Sequence, residues 1–146
     1  MKILFLVIGK TDESYLETGI GKYIKRLEHY IPFEMKVIPD IKNRKTLTEE
    51  QQKKAEGDLI LLDEKGKTFT SVMFSQWIEK QMNIGSKRIF FVVGGPYGFS
   101  KEVYDKAKFK ISLSEMTFSH QMIRLIFVEQ LYRAFTIIKG EPYHHV

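Results

Sequence analysis

The order of apolar and amphipathic segments predicts an α/β protein, with a mainly parallel five-stranded sheet flanked by helices. Three observations carry that expectation. Five short apolar runs alternate with amphipathic stretches along the 146 residues. The runs are apolar on successive residues rather than on every second one, as strands buried on both faces require. Finally, the chain is long enough for one domain with a real core and leaves no length for a second, so residues 1–146 read as a single domain.

Taken in order, KILFLVI (2–8) is the first strand, and in the segment 15–27 the residues Tyr15, Ile20, Tyr23, Ile24 and Leu27 keep near-helical spacing. FEMKVI (33–38) is the second strand. The loop 40–45 then gathers Lys42, Arg44 and Lys45 and reads as a solvated, mobile basic segment, with a helix expected over 48–56. DLILLD (58–63), a helix over 71–82, RIFFVV (88–93), a short helix over 101–107 and FKISL (109–113) continue the alternation. The last segment, 119–139, is apolar almost all round, so it is either sandwiched within the chain or covered in an oligomer; a homodimer through it is expected.

Lys and Arg number 23 against 18 Asp and Glu, giving a formal charge of +5 and a pI near 9.3. That balance favours encounter with polyanions without requiring it. Cys is absent, which removes disulfides, thiolate nucleophiles and Cys-type zinc sites together. Adjacent His144 and His145 do not share a helix face, so no metal is expected. The apolar runs are far too short to span a bilayer and no cleavable leader is read at the N-terminus, so the expectation is a cytoplasmic protein with no membrane partner.

Ligands of open parallel sheets collect beyond the carboxyl ends of the strands. The loop after the first strand, GKTDES, lacks the G-x-G-x-x-G fingerprint, and no P-loop is present. The informative loops are LLDEKG (61–66), VVGGPYG (92–98) and LSEMTF (113–118). Gly94 and Gly95 permit close backbone approach, and Pro96 fixes the turn after them. Ser114 and Thr117 offer hydrogen bonds, while Met116 and Phe118 offer apolar walls. One flat, mostly apolar pocket with backbone polar contacts suits a nucleoside-like cofactor. Asp63 and Glu64 read as solvated acids of a strand-ending turn rather than as an acid/base pair. On the last helix Glu129, Arg133 and Thr136 form a narrow polar stripe. Arg133 is then either half of a surface ion pair or a cation projecting into a cleft to hold an anion. His120, at the start of that helix, is a structural hydrogen-bonding residue or a catalytic one.

Together LLDEKG, VVGGPYG, LSEMTFSHQMIRLIFVEQLYRAF and the terminal KGEPYHHV make the chain resemble the RlmH family of SPOUT-class RNA methyltransferases over its whole length. The resemblance implies a deep C-terminal trefoil knot, a homodimer, and S-adenosylmethionine bound in the knot. It also implies methylation of N3 of a pseudouridine in helix 69 of 23S rRNA on assembled ribosomes. Matching motif positions place cofactor contacts at Leu62, Gly94, Leu113, Ser114, Glu115, Met116, Thr117 and Phe118. Where the family usually carries Pro before the histidine, this chain has Ser119, which weakens a rigid turn there; Tyr97 is assigned no role. N3 carries a proton that must leave before attack. Arg133 is expected to stabilise the resulting anion, and His120 or His144 to accept the proton or position the base. Gly140 ends the last helix and Pro142 stiffens the exit, which would deliver Tyr143 and His144 to a defined place near the partner's cofactor. The rival expectation is a catalytically silent ribosome- or RNA-binding module of the same fold.

Overall fold

In the computed structural model, which describes residues 1–38, 57–94 and 98–145, a five-stranded sheet runs in the order β2-β1-β4-β3-β5. The chain proceeds through β1 (Lys2–Ile8), α1 (Ser14–Leu27), β2 (Phe33–Ile38), β3 (Asp58–Thr68), α2 (Ser71–Asn83), β4 (Arg88–Val93), α3 (Lys101–Lys106), β5 (Phe109–Ser112) and α4 (Met122–Lys139). All four strand pairings are parallel. The 40–45 loop, the helix expected over 48–56, and Gly95, Pro96 and Tyr97 lie outside the described residues.

Strand side chains alternate between the two faces of a sheet, and β1 divides its residues accordingly. Ile3, Phe5 and Val7 join the larger core with residues of α1, α2 and α4, while Leu4, Leu6 and Ile8 join a smaller one with Val103 of α3. Apolarity on successive residues is therefore what two covered faces demand. On the larger face the Phe127 ring packs 4.7 Å from Phe5 and 4.8 Å from Phe91, anchoring α4 to the middle of the sheet. Helices α1 and α2 pack against α4. Phe127, Val128, Leu131, Ala134 and Phe135 of α4 are buried within one chain, while Met122, Ile123, Leu125, Ile126, Ile137 and Ile138 keep part of their surface exposed.

Two boundaries differ from expectation, and both shape the site. Segment 61–66 does not end its strand: β3 runs on to Thr68, leaving its ladder with β5 after Leu62 and rejoining it at Lys67. Gly66 makes the return possible, because a Cβ there would sit 2.6 Å from the Lys110 carbonyl carbon and 2.7 Å from the Ile111 nitrogen. Helix α4 begins at Met122 rather than Ser119, whose hydroxyl instead accepts the Met122 N–H at 3.0 Å. The helix stops at Gly140, in the left-handed conformation at φ 71°, as a C-terminal glycine permits.

Candidate active site

A cavity of about 420 Å³ opens beyond the carboxyl ends of β3, β4 and β5, within the size range of small-molecule sites. Leu62, Gly94, Leu113, Ser114, Met116, Thr117 and Phe118 all line it, and so does His120. Glu115, expected with them, does not, and its side chain is exposed. Val93, Phe99, Ile111 and Ile123 complete apolar walls.

The loop after β5 is braced by its own serines. Ser112 Oγ donates to the Ser114 carbonyl at 2.7 Å, and Ser114 Oγ accepts the Met116 N–H at 2.9 Å. Across the mouth, Thr117 Oγ1 donates to Glu64 at 2.7 Å. Asp63 accepts the Tyr104 hydroxyl at 2.8 Å, and burial together with that carboxylate pushes the phenol up to about 12. Asp63 and Glu64 are therefore partnered groups lining the cavity from within β3, a correction to their expected place in a strand-ending turn, and Glu64 remains solvent-exposed as expected. At the back of the cavity Gly94 faces the chain at Gly98 and Phe99. A Cβ on Gly94 would lie 3.2 Å from the Gly98 carbonyl oxygen and 3.3 Å from the Phe99 ring, so a side chain there would crowd the floor.

Behind His120 stands a residue the sequence reasoning passed over. Arg124 is fully buried. Its Nη2 donates to the Ile8 carbonyl at 2.8 Å, Nη1 to the Gly9 carbonyl at 2.9 Å and to Thr11 Oγ1 at 3.1 Å, and Nε to the His120 carbonyl at 3.1 Å. Neighbouring Gln121 adds two more ties, accepting the Asp12 N–H at 2.9 Å and donating to the Lys10 carbonyl at 3.2 Å. The two side chains staple the loop after β1 to the turn carrying His120. Desolvation lowers the Arg124 pKa, with Asp12 acting the other way. A signal was available: Arg124 falls in helical spacing with Phe127, Val128, Leu131 and Phe135, a charge on the buried stripe of α4.

Arg133, Tyr143 and His144 gather elsewhere. From Ile123, which lines the cavity, to Arg133 is ten residues of α4, about 15 Å along the helix. There Glu129 Oε1 accepts from Arg133 Nη2 at 2.5 Å and from the Tyr143 hydroxyl at 2.9 Å. The guanidinium lies 4.8 Å from the Tyr143 ring centroid, and Arg133 Nη1 sits 3.1 Å from His144 Nδ1. A guanidinium only donates, so Nδ1 accepts and the proton of a neutral His144 ring is on Nε2. Burial, then hydrogen bonds with Tyr23 and Glu129, hold the Tyr143 phenol protonated well above its ordinary range. Arg133 pairs with Glu129, the first of the two accounts of it, and its Nε is buried without a hydrogen-bond partner among the described residues. The tail, anchored further by Tyr30 donating to Glu141 at 2.6 Å, packs against its own chain. His145 is exposed.

Among the described residues there is no cluster of three metal-ligating side chains and no helix long and apolar enough to cross a membrane. A family model described as "Predicted SPOUT methyltransferase" matches residues 1–144. The chain is 62% identical to "Ribosomal RNA large subunit methyltransferase H" of Parabacteroides distasonis and 59% identical to the protein of the same name from Christiangramia forsetii, over 99% of both chains in each case. In fold it is similar to a probable methylase family protein of Haemophilus influenzae, at a TM-score of 0.50 and 11% identity, covering 99% of this chain and 70% of that one.

Proposed function

This chain belongs to the SPOUT methyltransferase family, and from that premise we propose that it uses S-adenosylmethionine to methylate N3 of a pseudouridine in helix 69 of 23S rRNA. The observation that carries the proposal is the cavity itself. Seven of the eight residues expected to hold the cofactor converge on it from three strand ends, beside His120.

The cavity suits the cofactor chemically as well as in size. Leu62, Leu113, Phe118 and Ile123 supply apolar surface, the self-braced Ser114 turn exposes main-chain groups, and Gly94 leaves the floor open. Bound there, the cofactor would supply a methyl group on a cationic sulfur, an electrophile that needs alignment more than activation. The remaining work falls to the protein: fix the target ring, accept or release the N3 proton, and stabilise the anion that results.

Arg133 and Tyr143 suit that work, the guanidinium as a fixed planar cation and the phenol as a group that stays protonated. With Nδ1 engaged by Arg133, His144 offers an Nε2 donor suited to a carbonyl or phosphate oxygen. The proton acceptor is then sought at His120 on the cavity wall. Because the Arg133 group lies about 15 Å along α4 from the cavity of its own chain, a homodimer in which each tail serves the other copy's cavity is part of the proposal. The C-terminal trefoil knot, a cytoplasmic setting and action on assembled ribosomes belong to it too.

The test is methyl transfer to intact ribosomes and to free large subunits from a strain lacking the enzyme, with the product nucleoside identified by mass spectrometry. The expected product is N3-methylpseudouridine, formed on intact ribosomes. Transfer to neither substrate would defeat the proposal in favour of a silent RNA-binding module.

A further inference from the structure

Beside the cofactor cavity lies a second groove, of about 300 Å³, on the outer edge of the sheet where β3 rejoins β5. Lys65, Lys67, Lys108 and Lys110 line it together with Tyr104, and no acidic side chain among the described residues does. Lys108 is paired with Asp58 at 3.0 Å. Lys65, Lys67 and Lys110 have no carboxylate partner among the described residues, and all three are exposed. Aromatic rings hold two of these cations instead: Lys67 Nζ is 5.2 Å from the Phe69 centroid and Lys110 Nζ 5.5 Å from that of Tyr104. Asp63 and Glu64, which precede Lys65 in sequence, are engaged by Tyr104 and Thr117.

The groove is assembled rather than incidental. Gly66 brings the β3 backbone against Lys110 and Ile111, and that approach sets Lys65 and Lys67 beside Lys110. Charge on an edge strand commonly guards against edge-to-edge pairing, which accounts for Lys110 on β5. Lys65 and Lys67 lie on β3 beyond Leu62, where its ladder with β4 has ended; Lys67 pairs there with Ile111 of β5, and both add their charge to the groove that Lys110 lines. Tyr104 borders the groove and the cofactor cavity alike, so a strand whose base reaches the cavity has its backbone within reach of the lysines.

We infer that this groove binds the phosphodiester backbone of the RNA flanking the target nucleotide. The inference rests on the methyltransferase function proposed above and adds where the substrate is held. It is tested with the full-length K65E/K67E/K110E variant and its neutral counterpart K65Q/K67Q/K110Q. Methyl transfer is measured against ribosome concentration at several salt concentrations, with cofactor affinity and melting temperature determined in parallel. Charge reversal is expected to raise KM for ribosomes about 10- to 100-fold with kcat and cofactor affinity unchanged, the neutral variant less. The salt dependence of log KM should lose a slope of about 3, one for each phosphate contact. An unchanged KM and slope in both variants, with the wild-type protein active, would overturn the groove alone. If KM rose for ribosomes while short RNA fragments failed to compete, an acidic protein would be the partner and the inference would fall. Wild-type protein inactive on every ribosomal substrate would instead overturn the function on which it rests.

Discussion

Helix α4 carries two arginines nine residues apart, and they sit in opposite surroundings. Arg124 is fully buried, its hydrogen bonds go to three backbone carbonyls and one hydroxyl, and no carboxylate among the described residues pairs with it. Arg133 keeps about a quarter of its side chain exposed, shares Glu129 with Tyr143, contacts His144 and retains an Nε without a partner among the described residues. A guanidinium whose donors are spent on backbone is a structural bolt. One held by side chains, with a donor unspent, is the kind of group the proposed chemistry needs. The difference follows from position: Arg124 points into the core beneath the loop after β1, Arg133 toward the C-terminal tail.

The comparison breaks most readily at Arg133. Arg133→Ala is expected to slow single-turnover methyl transfer about 10²- to 10³-fold, the range for losing one fixed group that stabilises developing charge. Its melting temperature should move little, since an ion pair of this partly exposed kind adds little stability. An unchanged rate would remove Arg133 from the mechanism. Arg124→Met should show the reverse pattern. It strips donors from the carbonyls of Ile8, Gly9 and His120, and at about 1–3 kcal/mol per orphaned group with partial relaxation, a loss of about 3–5 kcal/mol is expected in urea denaturation. Wild-type stability in that variant would mean the staple is dispensable.

The smallest expected effect lies at the rim. The Tyr104 phenol is raised from 10.0 to about 12 by burial and by Asp63, so between pH 10 and pH 12 the unfolded chain sheds a proton that the folded chain keeps. Stability therefore falls as pH rises through that window. Tyr104→Phe should flatten the fall, visible as a shallower decline of melting temperature. Tyr30, likewise pushed up to about 12, leaves part of the slope in place.

The strands were legible because two-sided burial writes itself as consecutive apolar residues, and β1, β2 and β4 begin and end where KILFLVI, FEMKVI and RIFFVV do. The cavity residues were legible through motif resemblance and through the rule that ligands sit at strand ends. The extension of β3 was not, because a glycine that permits close approach looks the same in sequence as a glycine that ends a strand. Arg124 was overlooked because an arginine in an apolar helix reads as a surface residue until the helix has a definite inward face.

By itself, then, the chain determined its class, its strands and the loops that build the cavity, since those depend on local pattern and on residue types adjacent in sequence. Only the tertiary structure decided which arginine is buried, that Asp63 and Glu64 are partnered on a rim, and that Arg133, Tyr143 and His144 stand apart from the cavity of their own chain. It also gathered three lysines from two strands into one groove. Each of these rests on contacts between residues distant in sequence, whose distances and hydrogen-bond partners exist only once the sheet and α4 have packed.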